Sequence, residues 1–163
     1  GHPIAGREVA GVENCLAGLF EGAPYVLCPK PGASAGSLPH LGCLVEELGA
    51  SVWVMSPEEH DRSIARLSHI PQLLSVALAS LNSTERLGIA GSGFRSMTRL
   101  AGSPYSVWES ILETNSDNID QGLGELIAHL GTVREALRNR SLSGEFARAQ
   151  DVYRMTLRKD GST

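Results

Sequence analysis

Ser56-Pro57-Glu58-Glu59 divides this chain more sharply than any other stretch. A serine here can accept from the backbone N–H three residues on. Proline suits the first helical position, and Glu59 can reach back to the serine N–H. The four residues therefore fix where a helix begins. Before them the sequence reads as short strands punctuated by proline and glycine; after them, apolar residues recur at helical spacing almost to the end.

The first part predicts one strand–helix–strand unit. Ala23-Pro24-Tyr25-Val26-Leu27-Cys28-Pro29 reads as a short buried strand, and Ala50-Ser51-Val52-Trp53-Val54-Met55 as a second. Between them Leu41, Leu44, Val45 and Leu48 form one helical stripe, with Gly49 as the stop. That order is a parallel βαβ unit, and two strands alone make no stable sheet. Residues 9–20 read as short helical turns at a sheet edge, and residues 30–37 as a loop.

The second part predicts helices only. The first runs from Ser56 to about Leu81 with Ile64, Leu67, Leu74, Leu78 and Leu81 towards a core. Pro71 interrupts it, removing a backbone donor. Ser68, His69 and Gln72 share a face at that break, either as a solvated stripe or as part of a site. Gly91-Ser92-Gly93 lacks the third glycine and the preceding strand of a dinucleotide fingerprint, and reads instead as a connector delivering Arg99. Arginine can clamp a carboxylate with two parallel bonds. A helix carrying Val107, Trp108, Ile111 and Leu112 follows, then a long one over 116–139 and a last one over 143–159. Long apolar stripes on so few helices imply a second subunit. The expected fold is mainly α: residues 1–56 are the βαβ end of a nucleotide-binding domain and residues 57–163 a helical domain.

Composition narrows the partners. The 163 residues are 42% hydrophobic and 20% charged with a net charge of -4, which suits a globular chain and argues against nucleic acid or anionic lipid as partner. No apolar run reaches the roughly 18 residues that span a membrane. Cys15, Cys28 and Cys43 match no zinc or redox spacing, so no metal is expected. They read as reduced, mostly buried thiols of a cytoplasmic protein. At the start, His2 precedes a proline, which biases it towards extended or turn backbone, and Glu8 stands six residues on. An imidazole so placed is either a solvated turn residue or a proton-handling group.

Taken in order, several stretches resemble the prephenate/arogenate dehydrogenase family of tyrosine biosynthesis. They are His2-Pro3-Ile4-Ala5-Gly6 with Glu8, Gly11-Val12-Glu13, residues 19–27, and Ser56-Pro57-Glu58-Glu59-His60-Asp61. Ser68-His69-Ile70-Pro71 and Gly93-Phe94-Arg95-Ser96-Met97-Thr98-Arg99 follow, with Trp108 nine residues later. The resemblance covers residues 2–108; beyond them only a helical pattern matches.

The resemblance implies a subunit with a Rossmann-type domain for NAD or NADP and a helical dimerisation domain like the C-terminal one of 6-phosphogluconate dehydrogenase. On this view the chain opens at the family's catalytic histidine motif, lacks the glycine-rich pyrophosphate loop, and does not bind the dinucleotide alone. The implied reaction is oxidative decarboxylation of prephenate, or alternatively of arogenate, in a homodimer. His2 would accept the proton of the ring hydroxyl, and Arg99 would bind a substrate carboxylate. Ser68, His69 and Gln72 would line the pocket. Trp108 would close it from its own or the partner subunit, and Glu8 would gate its mouth.

Two departures touch substrate choice. Many prephenate-preferring members carry a second histidine where this chain has Gln72, and many carry an aspartate where it has Ser96. Prephenate has a keto group where arogenate has an amine, and a neutral Gln72 suits either. Two other readings compete: a non-catalytic helical dimerisation module, and a β-hydroxy acid dehydrogenase. The latter family relies on a lysine in its helical domain, and the only lysines here are Lys30 and Lys159.

Overall fold

A computed structural model describes residues 1–6, 11–33 and 36–157. The chain divides into two compact units, Gly1–Asp120 and Gln121–Thr163.

The first unit opens with a three-stranded sheet in the order β1 (His2–Pro3), β2 (Pro24–Leu27), β3 (Ser51–Val54). β2 and β3 run parallel, with Val26 opposite Trp53, and are joined by α1 (Ser37–Glu47) as the spacing predicts. Gly49 closes the helix with φ +81, a backbone state that glycine reaches without strain. The short β1 is an addition to the predicted pair. It runs antiparallel to β2 with His2 opposite Val26, and the Ile4 N–H donates to the Pro24 carbonyl at 2.8 Å. That pairing holds the His2 backbone extended, which the following proline already favours.

Val26, Leu27, Val45 and Ala50 form the buried part of this layer. The expected stripe on α1 is otherwise open: Leu41, Leu44 and Leu48 are exposed, because three short strands cover only the row that contains Val45. Among the cysteines, Cys28 is half-buried but Cys15 and Cys43 are exposed, contrary to expectation; Cys15 follows a short 3-10 turn and Cys43 lies on the open side of α1.

The helical part begins at Ser56 as predicted. Its hydroxyl accepts from the Glu59 N–H at 3.1 Å, and the Glu59 carboxylate accepts from the Ser56 N–H at 3.0 Å. These bonds hold the Glu59 carboxyl below its usual range. α2 (Pro57–Ile64) passes into a wide π turn (Ala65–His69) and then α3 (Ile70–Ser80). In the wide turn the Ile70 N–H reaches back five residues to the Ala65 carbonyl, immediately before the missing donor of Pro71. The extra residue shifts the helical phase. Ile64, Ala65, His69 and Ile70 turn inward, while Leu67 and Leu81, expected in the core, are exposed.

A 3-10 turn (Thr84–Ile89), α4 (Ser92–Thr98) and a 3-10 turn (Arg99–Gly102) follow, then α5 (Tyr105–Thr114) with Trp108 buried. α6 (Ser116–Arg138) starts in the first unit, where Ile119 is buried, and continues into the second. In the second unit Arg140, at φ 54, turns the chain into α7 (Ser143–Leu157). His129 of α6 stands 3.6 Å from Glu145 of α7. Among the described residues no helix is long and apolar enough to cross a membrane, and no cluster of metal-binding side chains occurs.

Candidate active site

Two histidines meet where the sheet adjoins α2. His2, on β1, places Nδ1 2.8 Å from Nε2 of His60, on α2. Their rings meet edge to face at 5.1 Å. Nδ1 of His60 lies 2.8 Å from the Asp61 carboxylate, so three titratable side chains form a line. The sheet fixes one end. The capping box fixes the other, since the His60 N–H donates to the Ser56 carbonyl in the first helical turn. Partial burial of the ring and then the neighbouring His60 lower the His2 pKa, although the residue stays open to solvent on one side.

His69 lies at the end of the wide turn and is buried with Gln72 and Ser75 on one inward face of the helix. Its ring meets Trp108 edge to face at 6.0 Å. Asn115, buried between α5 and α6, donates to the Asp61 carbonyl at 2.8 Å and approaches Nδ1 of His69 at 3.4 Å. Asn118 donates to the Asn115 oxygen at 2.7 Å, which orients that amide. A donor facing Nδ1, even at this long distance, favours the Nε2–H form of the His69 ring. Burial lowers the His69 pKa most. Charge on His2 and His60 adds to the effect, and Asp61 opposes it.

The remaining expected residues are placed as follows. Gln72 donates through Nε2 to the Leu100 carbonyl at 2.9 Å, and Ser75 accepts from the Ala101 N–H at 3.0 Å. These bonds dock the Arg99–Gly102 turn onto α3, with the Arg99 side chain exposed at its start. Oε1 of Gln72 is buried and has no partner among the described residues. Trp108 donates to Ser103 at 2.9 Å, and Ser68 is half-buried in the wide turn. Glu8 lies outside the described residues. His60, Asp61 and Asn115 emerge only from the structure. The adjacency of His60 and Asp61 just past a capping box was visible, but the partner of His60 is 58 residues away. A concavity lined by Asn82, Leu87, Ile89, Ala90, Gly91 and Phe94 contains none of these side chains.

Residues 56–149 match the sequence profile of the prephenate dehydrogenase dimerization domain, and residues 1–54 that of its nucleotide-binding domain. The chain belongs to the prephenate dehydrogenase family. The prephenate dehydrogenase of Bacillus subtilis is 34% identical over 140 residues, which cover 82% of this chain and 38% of that protein. The chain thus spans well under half of this relative's length. Among solved structures, prephenate dehydrogenase from A. aeolicus, crystallised with hydroxyphenyl propionate and NAD+, superposes with a TM-score of 0.83 at 29% identity. The match covers 96% of this chain and 57% of that one. Synechocystis arogenate dehydrogenase gives 0.77 at 26% identity, covering 98% and 60%. For a prephenate dehydrogenase family chain, the region of His2, His69 and Trp108 straddles the two matched profiles, with His2 in the first and the other two in the second.

Proposed function

We propose that this chain carries the proton-handling and substrate-binding part of a dehydrogenase that oxidatively decarboxylates prephenate to 4-hydroxyphenylpyruvate, with NAD or NADP as oxidant. Residues 1–56 are the end of the nucleotide-binding domain and residues 57–163 the substrate-binding and dimerisation domain. The supporting observation is His2. It sits on a sheet edge, one ring nitrogen is engaged by His60, and its lowered pKa keeps the other available as a base near neutral pH.

The described residues fit the flank of a nicotinamide site: they include the parallel β2–α1–β3 crossover that accompanies such sites. Among them no glycine-rich strand-to-helix turn offers a grip for a pyrophosphate. The bound dinucleotide supplies the hydride acceptor. His2 takes the proton of the ring hydroxyl as the same carbon gives up hydride. The ring carboxylate then leaves as carbon dioxide, and its bonding pair completes the aromatic ring. His2 returns its proton to the ring oxygen, so no proton is released overall. The Nε2–H of His69 donates to substrate, Arg99 binds a carboxylate, Ser68 and Gln72 line the pocket, Trp108 holds the His69 ring, and Glu8 gates the mouth. Aromatisation drives the chemistry, so positioning is the main task of these side chains.

A homodimer accounts for the apolar surface of the second unit. Ile127, Leu130, Leu137, Phe146, Val152 and Tyr153 are all at least half exposed there.

Arogenate is the second reading, favoured by Oε1 of Gln72. A buried acceptor without a donor costs about 1–3 kcal/mol, and the amine of arogenate is a donor where the keto group of prephenate is not. The test measures dinucleotide reduction with each substrate, with the nucleotide-binding half of the protein present. His2→Asn is expected to lower kcat by about 10²–10⁴-fold, and Arg99→Ala to raise KM chiefly. Wild-type kinetics in both variants would overturn the assignment, and the ratio of kcat/KM values decides between the substrates.

A further inference from the structure

We infer that His60 and Asp61 are positioning residues that dictate which nitrogen of His2 is the base. The inference rests on the catalytic role proposed for His2.

The argument is one of proton counting along three side chains. An ionised carboxylate has no proton to give, so the 2.8 Å contact between Asp61 and Nδ1 of His60 requires the hydrogen on that nitrogen. A neutral imidazole carries one N–H, which leaves Nε2 of His60 as a lone pair. That lone pair faces Nδ1 of His2 at 2.8 Å, so His2 must donate there. Nε2 of His2 is then left unprotonated, and it is the nitrogen that no described protein group engages. The bond made by one ring nitrogen sets the protonation of the other. Here that rule acts twice in series, and the carboxylate end decides the reactive end.

The scaffold suits this task. His2 is held by strand pairing and His60 by the first turn of a capped helix, so neither ring rests on a loop. The Asp61 side chain is half exposed, whereas the His60 ring is only 17% exposed and shielded between its two partners. The Asp61 backbone is fixed separately, by Asn115. When His2 takes the hydroxyl proton on Nε2 it becomes a cation donating from Nδ1. His60 and the Asp61 charge then stabilise that cation through the same two hydrogen bonds, without a second proton moving. The proton later returns to the ring oxygen.

Ring tautomers can be read directly by long-range proton–nitrogen correlation spectra of the labelled chain at neutral pH. The expected result is an Nδ1–H tautomer for both His2 and His60, and for His69 the opposite, Nε2–H. In Asp61→Ala, His60 loses its acceptor, and both rings shift towards Nε2–H while the fold-reporting backbone signals persist. Asp61→Asn retains an acceptor oxygen and is expected to preserve the tautomers. An Nε2–H form of His2 in the unaltered chain would overturn the relay, as would tautomers indifferent to Asp61→Ala; the first outcome is decisive even if that variant does not fold. In the complete enzyme, Asp61→Ala is expected to lower kcat about ten-fold or more with KM within a factor of about two. A loss confined to KM would contradict the relay. The outcomes separate the two proposals. Unimpaired turnover in His2→Asn sinks the catalytic reading and leaves the tautomers standing; the wrong tautomer sinks the relay and leaves the catalytic reading.

Discussion

Asn115→Ala removes one side chain from the joint between α5 and α6, and its cost follows from three hydrogen bonds. The residue is 8% exposed. Its amide satisfies the Asp61 carbonyl at 2.8 Å, and no water can replace the lost donor without entering the packed joint. That carbonyl also accepts from the Ala65 N–H, so the loss is one hydrogen bond and not an orphaned acceptor, about 0.5–1.5 kcal/mol. The 3.4 Å approach to His69 is long and adds little. The bond accepted from Asn118 contributes about 0.5–1.5 kcal/mol, and that amide is half-buried, so water takes up part of the loss. The sum is about 1–3 kcal/mol. With a urea slope of about 1–3 kcal/mol per molar, the unfolding midpoint drops by roughly 0.5–1.5 M. The measurement is urea unfolding at fixed protein concentration, followed by far-ultraviolet dichroism. Asn115→Asp is the paired variant: it keeps the shape and still accepts from Asn118, but it can donate to neither Asp61 nor His69. It too should be destabilised, and its charge should raise the His69 pKa. A loss below about 0.5 kcal/mol in both variants, with an unchanged slope, would refute the view that this amide ties the helices together.

Acidification from about pH 7.5 to about 5.5 should lower stability. Folding holds the pKa of His69 and His2 below the ordinary histidine value, so the unfolded chain binds more protons in this window. His69→Gln should flatten the profile, and a melting temperature that rises on acidification would contradict the sign. Trp108→Phe keeps a ring against His69 but deletes the bond to Ser103, an expected cost of about 1 kcal/mol. Trp108→Ala should cost about 3–5 kcal/mol; equal losses would mean that the ring contact contributes nothing. Phe146→Glu together with Tyr153→Glu should dissociate the proposed homodimer in sedimentation while helix content persists, and a dimer that survives both would place the interface elsewhere.

Much of this fold was legible because its signals are local. The capping box, the glycine after α1 and the two parallel strands each depend on neighbours within a few residues, and all appear as expected. Phase was not legible. Leu67 and Leu81 look like core positions only if the helix keeps a constant pitch, and nothing in the sequence announces a five-residue turn except the proline that follows it. The site was legible in part. His69 and Gln72 share a face by simple helical spacing, and the structure buries both. The pairing of His2 with His60 and the tie from Asn115 to Asp61 join residues 58 and 54 apart, where spacing carries no information.

The wide turn at Ala65–His69 also bears on which changes of length the helix can absorb. Its surplus residue bulges outward at Leu67, which is 77% exposed. Removing that residue would leave α2 and α3 in their present phase, with Ile64 and His69 still facing inward. A deletion in α2, between residues 57 and 64, would instead rotate every later side chain by about 100° and carry His69 away from Trp108. Shortening at Leu67 would nonetheless press Pro71 into a turn of normal pitch, at a cost of roughly 3 kcal/mol. The bulge and the proline therefore belong together as one inheritance: to lose the first without the second weakens the helix that carries half of the site.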